Sequence, residues 1–212
     1  KNERMPIEKD DKDRKKVANH LTPVEKKRNH SKVNLNTDMV LIPSGKFVMG
    51  SNLSSDEKPE HHVFIDSFWI DRTPVTNALF TDFLNSRKIQ IDETVDWIDP
   101  FSKEIKIFFQ GGKWYVRDGY QDHPMVMVNW FGADAYCQWA GKRLPTEAEW
   151  EKAARGKDSR IYPWGDQIPN LCILNCGNTY LETTSVDKFP DGASPFGVLD
   201  MLGNVWEWVA DW

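Results

Sequence analysis

Apolar and polar residues change their spacing several times along this chain, and each change marks an element. Met39-Val40-Leu41-Ile42-Pro43 is a short apolar run, and Phe47-Val48-Met49-Gly50 follows the Ser44-Gly45 pair, which predicts two strands around a turn. Residues 51–61 are a polar loop, after which Val63, Ile65, Phe68 and Trp69-Ile70 read as further strand. At Thr76 the period lengthens. Leu79, Phe80, Phe83 and Leu84 fall on one helical face, with Thr76 as N-cap and Pro74 upstream. Two strand-like pieces, 105–109 and 113–116, flank Gly111-Gly112 and predict a hairpin. Asn129 caps a second helix in which Ala133, Tyr136, Cys137 and Ala140 recur until Gly141. Thr146 and Glu149 form a T-x-x-E capping box for a third, which runs through Trp150 and Ala153-Ala154 to Gly156. From 157 to 212, Pro and Gly recur too densely for a long helix. Short mixed strands, about three helices and long ordered loops make an α+β domain. Its loops need support beyond regular hydrogen bonding, from aromatic packing or bound cations.

Composition narrows the class. Hydrophobic residues make up 40% and charged residues 28% of 212, the balance of a globular protein, and no apolar run is long enough to span a bilayer. Ten Trp and eleven Phe give the core an aromatic character. The net charge of −5 is uneven: residues 1–32 hold 11 Lys+Arg against 6 Asp+Glu, and the remainder is strongly acidic. Residues 1–37 read as a polar, basic, solvated tail without the hydrophobic stretch of a signal peptide, and 38–212 as the folded domain. An acidic domain argues against nucleic acid as a partner, and a membrane is not indicated.

Three cysteines stand at 137, 172 and 176, so one thiol is left over within the chain. Cys172 and Cys176 are not followed by a second Cys/His pair at zinc-site spacing. Cys137 lies on an apolar helical face and reads as an inert thiol. There is neither a G-x-x-x-x-G-K-[ST] phosphate loop nor an H-E-x-x-H helix. The Trp residues at 130, 139, 150, 164, 206 and 208 read as core.

Three stretches carry a resemblance. The first is Phe68-Trp69-Ile70 with Pro74-Val75-Thr76-Asn77, Phe80 and Phe83. The second joins Val128-Asn129-Trp130 to Gly141-Lys142-Arg143-Leu144-Pro145-Thr146-Glu147-Ala148-Glu149-Trp150-Glu151, and closes on Tyr162-Pro163-Trp164-Gly165. The third is Gly197-Val198-Leu199-Asp200-Met201-Leu202-Gly203-Asn204-Val205-Trp206-Glu207-Trp208. Together they resemble the formylglycine-generating, sulfatase-modifying-factor family, whose fold is a variant of the C-type lectin fold.

The resemblance implies a parent protein that oxidises a sulfatase cysteine to formylglycine with copper and oxygen, acting on a sulfatase or another protein or peptide. The family's two copper-binding cysteines lie beyond the Gly-Asn-Val-Trp-Glu-Trp motif. Cys137, Cys172 and Cys176 do not match them, so the chain is read as incomplete at its C-terminus and inactive alone. Two alternatives share the fold: a non-catalytic lectin-like binding or display module, and an iron-dependent sulfoxide synthase of the ergothioneine type. The resemblance also implies calcium. One site would take the carboxylates of Asp200 and Glu207 with the carbonyls of Gly203 and Val205, a spacing that suits a tight Gly-containing turn. The other reading of these residues is that Glu207 pairs with a buried Arg and Asp200 caps a turn. A second calcium site would take Asn175, the carbonyl of Cys176, Asn178 and the carbonyl of Tyr180, with Asn178 standing where the family has Asp.

Overall fold

Two very short links decide how the N-terminal strands are arranged. β1 (Met39–Ile42) and β2 (Gly45–Met49) are separated only by Pro43-Ser44, and β3 (His61–Ile65) and β4 (Phe68–Asp71) only by Asp66-Ser67. The computed structural model describes residues 39–211 except 53, 56, 94–96 and 177–179, so the tail expected over 1–37 lies outside the described residues. β1 pairs with β4 and β2 with β3, both antiparallel. Ile42 stands opposite Phe68 and Gly45 opposite Ile65, so a single register runs through both ribbons. They form one long hairpin bent in the middle. The turn expected between the first two strands is therefore a bend, and β1 and β2 do not pair with each other. Pro43 has no N–H to give to a ladder, which breaks the pairing there.

The other elements follow their sequence signals closely. α1 (Asn77–Ser86) starts at Thr76, whose side chain accepts from the Leu79 N–H. α2 (Trp130–Trp139) starts at Asn129, which accepts from the Gly132 N–H at 2.9 Å. α3 (Glu147–Arg155) carries both halves of its capping box, Thr146 with the Glu149 N–H and Glu149 with the Thr146 N–H, and ends at Gly156 with φ +71°. β5 (Ile107–Gln110) and β6 (Lys113–Val116) form the expected hairpin. Gly111 and Gly112 there have φ +58° and +81°, the left-handed pair that a tight two-residue turn requires. Among the described residues no helix is long and apolar enough to cross a membrane.

Two apolar clusters result. Phe80, Phe83 and Leu84 of α1 pack with Ile98, Ile105, Ile107, Trp114 and Tyr136, and the edge-on contact of Phe80 and Phe83 at 5.3 Å is typical of this aromatic core. The Asn85 side chain clamps Trp114 by accepting from its N–H and donating to its carbonyl, both at 2.9 Å, which ties the β5–β6 hairpin to α1. The second cluster joins Ile42 to Ala153, Ala154, Val198 and Met201. It glues α3 and the 198–201 segment to the β1–β4 ribbon.

Lys152 of α3 fills the break in the long hairpin. Its side chain is fully buried, and its ammonium donates to the carbonyls of Pro43 at 2.8 Å, Gly45 at 3.0 Å and Ile65 at 3.2 Å. All three donors are thereby used on acceptors that the broken ladder leaves over. Burial pushes its pKa down, and Lys157 nearby pushes the same way against the opposing charge of Asp66. Substituting Lys152→Met keeps the length and removes three hydrogen bonds from a charged donor, a kind worth about 1.5–3 kcal/mol each at most in a part-buried setting. We expect a loss of about 3 kcal/mol in urea denaturation; a change below about 0.5 kcal/mol, the range of an ordinary surface substitution, would refute the assignment.

Candidate functional site

The segment after Gly197 is stitched between the two clusters by hydrogen bonds at nearly every step. Leu199 N–H donates to the Arg72 carbonyl and Ala210 N–H to the Pro145 carbonyl, each at 2.8 Å. The Trp208 indole N–H donates to the Val128 carbonyl and the Trp130 indole N–H to the Val209 carbonyl, again at 2.8 Å. Glu147 N–H at the start of α3 donates to Asp211 Oδ2 at 2.6 Å. Held at both ends, residues 200–207 make a turn with three left-handed residues: Asp200 at φ +55°, Gly203 at +91° and Asn204 at +57°. Glycine is required at 203, because a Cβ there would stand 2.6 Å from the Asn175 carbonyl oxygen.

This turn presents Asp200 and Glu207 inward. Asp200 is 9% exposed and accepts one hydrogen bond from Asn204 Nδ2 at 2.8 Å. Glu207 is half-buried and accepts from the Trp150 indole N–H at 2.7 Å. Both donors are neutral. Burial pushes the Asp200 carboxyl up to about 6, with Asn204 holding it back and Asp187 adding to the rise. Burial pushes the Glu207 carboxyl up to about 7, against the Trp150 N–H and with the charge of Asp200. The Asp200 charge thus reaches Glu207, while Asp200 itself is raised by burial and by Asp187. The buried-Arg reading of Glu207 is not what the structure has. Arg143 gives both its terminal nitrogens to Glu149 at 2.7 Å, and Lys142 pairs with Asp71 at 2.5 Å.

The donor set implied at this turn is all oxygen, two carboxylates and the main-chain carbonyls of Gly203 and Val205, of which the Gly203 carbonyl already accepts from the Val205 N–H at 2.7 Å. Among the described residues no three His, Cys, Asp or Glu side chains converge, so a cation here would rely on carbonyls for the rest of its shell. Calcium accepts such a mixture, whereas zinc and copper favour nitrogen and sulfur. The chemistry of the residues fits calcium. The second implied set is only partly described, since Asn178 lies outside the described residues. The Asn175 carbonyl accepts from the Asn204 N–H at 3.0 Å, and its side-chain N–H donates to the Glu182 carbonyl at 2.9 Å. Cys176 is half-buried, and the Tyr180 ring lies under the Lys188 ammonium at 3.9 Å. Glu182 turns its carboxylate to Lys106 at 3.0 Å and to the Tyr120 hydroxyl.

Glu207 also faces a cleft of about 410 Å³ whose walls include Trp69, Ile70, Tyr136, Lys142, Trp150 and Trp208. Trp206, read from sequence as core, is fully exposed, and Trp208 is half exposed. The turn that aims Glu207 inward sends its neighbour outward. No disulfide links the cysteines; Cys172 is exposed, and burial pushes the Cys137 thiol up to about 11.

The raised carboxyls set a direction for stability against pH. In the unfolded chain they ionise near 3.8 and 4.5; folded, near 6 and 7. Between those limits the folded state holds more protons, so stability falls as pH rises. In chelator, urea denaturation is expected to show that fall between pH 5 and 7.5. The Asp200→Asn, Glu207→Gln double variant is expected to lack it. Burial lowers the His123 pKa and tilts the profile the other way over part of this window, so the difference between the two profiles is the measure, and coincident slopes would contradict the burial of these two carboxyls.

Comparison with known proteins places this arrangement. The family model described as "Sulfatase-modifying factor enzyme 1-like domain" matches residues 24–212. Serine/threonine-protein kinase pkn1 of Chlamydia caviae is 41% identical over 178 residues, covering 83% of this chain and 28% of its own length. Formylglycine-generating enzyme of Bos taurus is 34% identical over 220 residues, covering 83% of this chain and 58% of its own. The chain therefore spans 28% of the one relative and 58% of the other, less than two thirds of either. Among solved structures, PvdO from Pseudomonas aeruginosa superposes with a TM-score of 0.63 at 29% identity, over 82% of this chain and 70% of that one. The α+β architecture is the sulfatase-modifying-factor variant of the C-type lectin fold, and the chain belongs to the sulfatase-modifying factor family.

Proposed function

We propose that residues 39–211 are the calcium-braced scaffold of a formylglycine-generating oxidase, whose intact form converts a sulfatase cysteine to formylglycine with copper and molecular oxygen. One observation carries the reading. Two desolvated carboxylates with only neutral donors, Asp200 and Glu207, sit on one turn, 200–207, within the stretch that carries the resemblance to the formylglycine-generating family. A divalent cation supplies the charge that this pair lacks. By binding the folded state alone, it also stabilises the loops that regular structure leaves unsupported. None of the three thiols stands where the resemblance puts the copper ligands, and Cys137 is unsuited besides. A metal needs thiolate, and burial holds Cys137 protonated at neutral pH. No oxidative step is therefore assigned to these residues, and their contribution is to hold the fold on which such a step takes place.

A second reading is favoured by the chlamydial kinases, which are more similar in sequence than the bovine enzyme. In it the domain is a non-catalytic binding module whose exposed aromatics, Trp206 and Trp69 among them, meet a protein partner. Peptide turnover separates the two. The intact protein, supplied with copper and oxygen, is expected to convert the cysteine of a Cys-x-Pro-x-Arg peptide to formylglycine by mass spectrometry, and residues 1–212 alone are not. Failure of the intact protein would leave the binding module.

Calcium is tested separately. At a hundredfold excess over its Kd it adds about 2.7 kcal/mol to folding, or roughly 5–10 °C in Tm for a domain of this size. Melting curves that coincide in calcium and in chelator would remove the calcium assignment.

A further inference from the structure

Asn204 stands in the middle of the 200–207 turn and uses all its polar atoms. Its side-chain oxygen accepts from the Thr184 N–H at 2.9 Å, and its Nδ2 donates both to the Thr184 carbonyl at 3.1 Å and to Asp200 Oδ2 at 2.8 Å. Its main-chain N–H donates to the Asn175 carbonyl at 3.0 Å. Thr184 is buried, so one face of the amide is docked on fixed backbone like a neighbouring strand. The remaining N–H has one acceptor, Asp200.

We propose that Asn204 is a positioning residue for Asp200. It fixes the carboxylate by Oδ2 against the rigid 184 segment and leaves Oδ1, which takes no hydrogen bond from a described residue, aimed for a calcium ion. The inference rests on the calcium reading of this turn. Asn204 itself does not touch the ion in this arrangement. It restricts the Asp200 rotamer before the ion arrives, so that ordering does not oppose binding. Its left-handed backbone, φ +57°, is one that Asn tolerates better than most residues. The same docking ties the affinity of the turn to the loop carrying Thr184, which is anchored through Asn175 and Glu182.

The test uses the 212-residue chain at pH 7.5, with calcium chloride titrated in a calorimeter and melting curves taken in calcium and in chelator. Asn204→Gly, which keeps the backbone angle accessible, is expected to weaken calcium roughly tenfold or more, as loss of an outer-shell partner does, and to shrink the calcium-induced rise in Tm. Asn85→Ala, which unties the β5–β6 hairpin from α1 in the other apolar cluster, is the control for a purely structural loss: it lowers Tm in chelator and leaves calcium affinity unchanged. An Asn204→Gly chain that binds calcium within twofold of the unsubstituted chain overturns the proposal. Should that variant fail to fold, the unsubstituted chain still decides. Its Asn204 side-chain amide signals are expected to shift in the NMR spectrum with the calorimetric midpoint, and signals that stay fixed through saturation overturn the proposal. Absence of saturable calcium binding by the unsubstituted chain sinks the calcium reading itself and this inference with it.

Discussion

The fold turns on a charge placed where a hydrogen-bond ladder is broken. Pro43 interrupts the long N-terminal hairpin, and three part-buried carbonyls at the bend converge on one point. The Lys152 ammonium takes all three. Leaving a buried acceptor unmet costs more than a formed hydrogen bond returns, so this one side chain fixes where α3 can sit. The position of α3 in turn sets Thr146, Glu149 and Trp150, and Trp150 holds Glu207. A structural lysine and the indole that holds a candidate ligand are thus two residues apart on the same helix.

Around that contact the molecule is built from local anchors rather than from a broad sheet. Among the described residues, three two-stranded ribbons and three α-helices are joined by indole N–H groups, Asn side chains and arginines that reach main-chain carbonyls. Arg155, for instance, meets the Gly50 carbonyl at 2.7 Å while Glu151 takes the Gly50 N–H at 2.9 Å, so α3 pins the loop at the far end of the long hairpin too. Such a design supports long irregular segments with defined backbone angles. The 200–207 turn, with its left-handed residues, depends on it.

Much of this was legible in the sequence because the signals were local. The capping box of α3, the Asn129 cap and the Gly111-Gly112 turn act over three or four residues, and each stands where the pattern put it. Strand pairing was not legible: Ile42 finds Phe68 across an intervening hairpin, and nothing in the spacing of apolar residues distinguishes that from pairing with the next strand. Lys152 was hidden for a chemical reason. A lysine in a helix with three Glu and an Arg reads as solvent-facing, and its carbonyl partners come from 87 to 109 residues away. Trp206 misled in the opposite direction, since bulk apolar surface suggests burial until the turn that reverses it is known. Asp200 and Glu207 stood out through the motif around them, while Asn204, quoted within that motif, had no role until its amide was seen bridging Thr184 and Asp200.

The shared register of the two ribbons constrains how relatives of this chain can differ in length. Adding one residue at Pro43-Ser44 alone would put every side chain of β1 or β2 on the wrong face and pull the carbonyls off Lys152. A matching addition at Asp66-Ser67 would restore the faces but widen the bend beyond the reach of one ammonium. Length variation is therefore channelled to the loop between β2 and β3, where the hairpin closes and the ladder has already ended.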